Sequence, residues 1–136
     1  MPLAGLARAF ACFATGRDLS PGRAAAAQRL RAACAAKPWF CAGTGRFDTD
    51  VMGVLGKRVF TKSGAEGMFC AALPEHGLGI AIKCDDGGGR AAEVAMAATL
   101  AKLLPDDRAT LEPFVRPTLR NWNGIVVGQL RPTDAI

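Results

Sequence analysis

Tyrosine is missing from this chain, histidine occurs once, and aromatic residues make up only 7% of it. A surface that binds nucleic-acid strands interleaves stacking rings with clustered cations. Here the 17 Lys and Arg stand singly among 12 Asp and Glu, no five like charges are consecutive, and the net charge of +5 is not gathered into a stripe. No nucleic-acid partner is expected. Long hydrophobic runs are lacking too: none approaches the ~18 residues of a membrane span, and no basic stretch followed by an apolar core opens the chain at Met1. The sequence therefore argues against a membrane partner and for a cytoplasmic setting. The cysteines are odd in number, at 12, 34, 41, 70 and 84, with no C-x-x-C pair, and each lies in an apolar context. They read as reduced, buried thiols rather than zinc ligands, so no metal is expected to be held by this chain alone.

What is present suits a globular fold. With 136 residues, half of them hydrophobic, the chain is long enough for one domain with a real core and too short for two. Leu3, Leu6, Ala7, Phe10 and Ala14 recur at helical spacing and predict a helix from Pro2 to Thr15, stopped by Gly16. Ser20-Pro21 is a helix start, Ser as cap and Pro in the first turn, and predicts a second helix over 21–36. After Pro38, Trp39-Phe40-Cys41 form an apolar knot, and Gly43 and Gly45 make a loop for which G-x-G alone is weak support for phosphate binding. Phe47, Val51, Met52 and Leu55 predict a short helix, with Asp48 or Thr49 available as its cap. The longest helical signal runs from Arg90 to Leu104, and Pro105-Asp106-Asp107 stops it. Beyond Leu111 the chain is punctuated by proline until one apolar run, Ile125 to Leu130, reads as a last strand before a frayed tail.

Between these helices lies the stretch Arg58 to Asp86. Its apolar runs, Val59-Phe60, Met68–Leu73 and Leu78–Ile82, are separated by Gly64, Gly67 and the turn tetrapeptide Pro74-Glu75-His76-Gly77, and they predict a strand meander. The fold class expected is α+β, an antiparallel sheet covered by helices. Chemistry gathers at the end of the first strand in Thr61-Lys62-Ser63-Gly64, a cation and a hydroxyl side by side before a glycine that clears space. A lysine at a sheet edge also discourages aggregation. Against that simpler reading, a strand-end lysine beside a hydroxyl is an arrangement by which lysine-assisted serine acyl transferases orient substrate. His76 reads as an exposed turn residue, and Lys83 with Asp85 and Asp86 forms a further polar group.

Four segments carry a resemblance: GTGRFDTDVM (43–52), KSGAEGMFCAALPEHGLGIAIKCDDG (62–87), RAAEVAMAATLAKL (90–103) and LRNWNGIVVGQLR (119–131). Together they resemble the asparaginase II, or rhizobial-type, L-asparaginase family, whose fold is similar to that of the serine β-lactamases and serine-dependent glutaminases. The resemblance implies hydrolysis of L-asparagine to L-aspartate and ammonia through an acyl-enzyme on a serine. Lys62, in a triplet that looks like the superfamily's K-[ST]-G motif, would be the strand lysine of a Ser-Lys network, and Ser63 a substrate or hydrogen-bonding contact. Gly64, Ala65 and Glu66 would shape the pocket, and Arg46 and Asp48 would help to form it, although a cysteine stands at the Asp48 position in some relatives.

This sequence departs from the family pattern in one respect. Motifs resembling S-G-K-H, with the nucleophilic serine and its lysine, and D-G-C-x-x-P, with a cysteine of the rhizobial zinc site, occur nowhere in it. The expectation is therefore the C-terminal part of a larger asparaginase domain lacking the half that bears the nucleophile. It would be inactive alone and would hold no cofactor itself, zinc belonging to upstream residues of full-length relatives. A homodimer is compatible with the resemblance. The competing expectations are a non-enzymatic protein-binding module, or a remnant.

Overall fold

The central strand explains itself: Met68-Phe69-Cys70-Ala71-Ala72-Leu73 contains no polar side chain because helices cover both of its faces. In the computed structural model, which describes residues 1–134, this strand (β2, Met68–Leu73) lies antiparallel between β1 (Phe60–Ser63) and β3 (Leu78–Lys83). The register sets Ser63 opposite Phe69 and Phe69 opposite Ile82. Alternation along the strands then sorts the side chains. Thr61, Ser63, Phe69, Ala71, Ile80 and Ile82 share one face, and Phe60, Lys62, Cys70, Ala72, Gly79 and Ala81 share the other.

Helix α1 (Leu3–Thr15) covers the second face, where Phe10 and Phe13 meet Phe60 with ring centroids 6.2 and 5.3 Å apart. Its backbone lies almost on β3. A Cβ added at Gly79 would stand 2.0 Å from the Ala7 carbonyl oxygen and 2.4 Å from the Ala11 nitrogen. Gly79→Ala is therefore expected to cost at least the ~1–3 kcal/mol of an overpacked core. Gly53→Ala, where a Cβ meets nothing within 4 Å in a helix, should be neutral or stabilising. Urea titrations compare the two, and equal midpoints would mean that α1 does not sit on β3.

The first face packs against α4 (Phe47–Leu55) and α5 (Gly89–Leu103). Their fully buried Val51, Met96, Ala97 and Leu100 join Phe69, Ala71 and Leu73 in the core. Alanines along α5 let it approach closely, and Phe47 sets its ring edge-on to Phe69 at 5.2 Å and to Phe114 at 5.8 Å. Helix α2 (Pro21–Ala36) follows the boundaries expected of it. The α+β expectation agrees with these elements.

Several local expectations do not. Trp39–Ala42 form a single helical turn, α3, in which the Trp39 and Phe40 rings meet edge-on at 5.3 Å, as an apolar knot requires, but both are exposed. Only Cys70 is buried, the other four cysteines being half-buried, and all five are free thiols. Pro105 ends α5 as expected, yet a further helix, α6 (Arg108–Val115), follows and inserts Leu111 and Val115 into the core. The last strand, β5 (Val126–Gln129), does not join the main sheet. It pairs with β4 (Thr118–Arg120) in a separate ribbon whose tip carries the fully exposed Trp122. Of the tail expected to fray, residues 135–136 lie outside the described part of the chain. Among the described residues no helix is long and apolar enough to cross a membrane.

Candidate active site

β1 delivers Ser63 to the face occupied by α4, and the loop before α4 is fixed by two side-chain hydrogen bonds. The Thr49 hydroxyl donates to the Gly43 carbonyl at 2.6 Å, and the Trp39 indole N–H donates to Thr44 Oγ1 at 2.8 Å. Asp48 follows in the first turn of α4. As a helix cap it would turn back onto its own backbone, but no side-chain cap bond forms there. Instead Asp48, 1% exposed, reaches across to β1, where Oδ2 accepts the Ser63 N–H at 3.1 Å and the Ser63 hydroxyl at 2.6 Å. The capping expectation is thus corrected, because a tertiary partner fifteen residues away in sequence competes successfully for the carboxylate.

Asp48 Oδ1 is buried and has no hydrogen-bond partner among the described residues. A buried acceptor left open costs ~1–3 kcal/mol, more for a charged group, so it is a natural seat for an incoming donor. Two further groups feel this carboxylate. Glu93, half-buried on α5, has its pKa raised first by burial and then by Asp48, with Arg46 pulling the other way. Burial, reinforced by the neighbouring Cys34 thiol, pushes the Cys41 thiol up to about 11. Cys41 also feels Asp48 and Lys62.

Lys62 is exposed on the edge strand, and its ammonium donates to the Ser63 carbonyl at 2.8 Å. The pairing of lysine and hydroxyl read from the sequence is corrected in one respect. Strand alternation points the two side chains to opposite faces, and only the length of the lysine brings its charge back to Ser63. Arg46 is exposed immediately before α4, near enough to Glu93 to influence it. The Gly64 N–H donates to the Met68 carbonyl at 2.8 Å, closing the β1–β2 connection. Glu66 is exposed with φ of +56° in a turn where Gly67 packs against Gly87. No hydrogen bond or ion pair joins Glu66 to Lys62 or Ser63 among the described residues.

The structure therefore gathers Asp48, Ser63 and Lys62, with Arg46 at the rim, and leaves Glu66 at a turn tip. Sequence reading missed Glu93, whose signal was being the one acid in an alanine-rich helix, and Cys41, which gave no signal. A hydroxyl that donates to a carboxylate is a positioned contact rather than an activated nucleophile, since a carboxylate is a far weaker base than an alkoxide. Among the described residues no three His, Cys, Asp or Glu side chains gather as a metal site, so these side chains alone do not fit the zinc implied for relatives. The family model described as L-asparaginase II matches residues 1–132. No curated protein matches the chain.

Proposed function

From the premise that this chain belongs to the L-asparaginase II family, we propose that it forms the substrate-orienting wall of an L-asparagine amidohydrolase with a β-lactamase-like, Ser-Lys site. The observation that carries this reading is the buried Asp48 carboxylate, which fixes Ser63 beside Lys62 and keeps its second oxygen open. In this reading the nucleophilic serine and its lysine are supplied by an S-G-K-H segment, a motif that these 136 residues do not contain.

In this site the upstream serine hydroxyl loses its proton to its lysine partner and attacks the side-chain amide carbon of L-asparagine. The Lys62 ammonium provides positive potential where the serine oxygen and then the tetrahedral oxyanion carry charge. The C–N bond breaks, the departing nitrogen takes a proton, and ammonia leaves an aspartyl ester. Water then cleaves the ester to L-aspartate and restores the serine hydroxyl. Asp48 Oδ1 accepts from the substrate ammonium, Ser63 orients the same end of the molecule, and Arg46 pairs with its α-carboxylate at the rim.

The test joins this chain to the S-G-K-H segment and measures ammonia release. Asp48→Asn preserves shape but removes the charge that holds an ammonium, a charge-assisted bond of ~1.5–3 kcal/mol. KM for L-asparagine is expected to rise about tenfold or more, with kcat changed less. An unchanged KM would reduce Asp48 to a brace for β1. The exposed Leu30, Trp39 and Phe40 favour the second reading, a protein-binding module, and that reading prevails if the joined enzyme hydrolyses no amide.

A further inference from the structure

A cavity of about 580 Å³ lies between the end of β3, the first turns of α5 and the segment that follows β5. None of Arg46, Asp48, Lys62, Ser63, Gly64 and Glu66 lines it. It belongs to the opposite edge of the sheet. Its nearest strand residue, Lys83, pairs with Met68 on β2, whereas Ser63 pairs with Phe69 from the β1 side, so ~10 Å of sheet separates the two strands.

Lys83, Arg90 and Arg131 reach this cavity from three separate segments, and Asp86 is its one acid. None of the three cations forms an ion pair among the described residues. Lys83 donates to the adjacent Cys84 carbonyl, and Asp86 Oδ1 is occupied by the Gly88 N–H at 2.8 Å. Elsewhere in this chain guanidinium groups find carboxylates, as Arg58 does with both Glu75 and Asp107. Three like charges around one concavity repel one another and are relieved by a bound anion. Between them Val94 and Leu130 offer an apolar floor, and no aromatic side chain is present to stack on a nucleobase.

We propose that this cavity is a second ligand site, distinct from the amide-hydrolysing one, for a short aliphatic dicarboxylate. Three cations against one acid leave two positive charges, which match the two carboxylates. The floor takes the carbons between them. Guanidinium groups receive carboxylates in bidentate fashion, which favours Arg90 and Arg131 as the main partners and Lys83 as a supporting point charge. The site stands whether or not the family reaction is the one proposed above.

The experiment titrates the 136-residue chain with succinate at constant ionic strength near 0.1 M, reading amide NMR shifts and heats of binding. Saturable binding is expected, with Gly88, Gly89 and Ala91 shifting while Ser63 stays in place. Butyrate, with the carbons but one charge, should bind at least tenfold more weakly, and so should inorganic phosphate, which lacks the carbon body. Arg90→Gln and Arg131→Gln should each weaken succinate about tenfold, with melting temperatures within a few degrees of the parent, since both side chains are exposed. Equal affinity for succinate and butyrate, for succinate and phosphate, or for parent and both variants would overturn the proposal. So would shifts centred on Ser63.

Discussion

Incubated with L-asparagine, the purified 136-residue chain is expected to release no ammonia above the uncatalysed background. Enzymes of ordinary power accelerate reactions by ~10⁶-fold or more, so this is a loss of everything. The argument rests on where its hydroxyls and bases stand. Ser20 and Ser63 are the only serines. Ser20 is exposed at the start of α2, and the Ser63 hydroxyl donates its hydrogen bond to a carboxylate rather than to an amine or imidazole. The Lys62 ammonium donates to a carbonyl, not to a hydroxyl, so among the described residues Lys62 and Ser63 are not assembled as base and nucleophile. Adding the S-G-K-H segment should restore turnover. Ammonia release by the chain alone, abolished by Ser63→Ala, would make Ser63 the nucleophile and remove the need for any other segment.

Lys62→Met in the joined enzyme should lower kcat by about 10²–10³, the loss typical of one preorganised donor to a developing oxyanion. Methionine keeps the aliphatic length and removes only the charge. If Lys62 is merely an edge lysine, stability changes by no more than ~0.5 kcal/mol and turnover survives. Lys62→Arg should rescue poorly, because the guanidinium is a longer, planar fork and delivers its charge elsewhere. Lys57→Met is the control, an exposed lysine ahead of β1. A Lys62→Met enzyme within threefold of its parent would return this residue to the simpler role.

Which parts of this architecture could be read from residues alone follows from the range of the interactions involved. Helices α2 and α4 have the boundaries expected of them because Ser20-Pro21 and Gly56 punctuate them locally. The meander was legible for the same reason, since turns and apolar runs alternate within a few residues. Helix α6 was not, because Pro113 within it and Pro117 just beyond it argue against helix while its support comes from burying Leu111 and Val115 under distant elements. β5 was legible as a strand but not its partner, for Thr118-Leu119-Arg120 is too short to announce itself. At the candidate site, the K-S-G triplet drew attention to the strand end that the Asp48 carboxylate reaches. It did not reveal that Asp48 leaves its own helix to hold Ser63, nor that alternation turns Lys62 to the other face.

The placement of Trp39 and Trp122 has a spectroscopic consequence. With no tyrosine in the chain and both indoles at the surface, intrinsic fluorescence comes entirely from rings already in contact with water. Unfolding will hardly move the emission maximum, so a flat trace is no sign of a molten protein, and circular dichroism must follow the melt. The two rings differ in freedom. Trp39 is tethered through its indole N–H to Thr44 in the loop that leads to Asp48, whereas Trp122 stands free on the β4–β5 ribbon. In a Trp122→Phe protein the remaining fluorophore becomes a single lamp beside the candidate site. Any segment that docks over α3 to complete that site will shield it from water and shift its light to the blue, giving an optical assay of assembly independent of turnover.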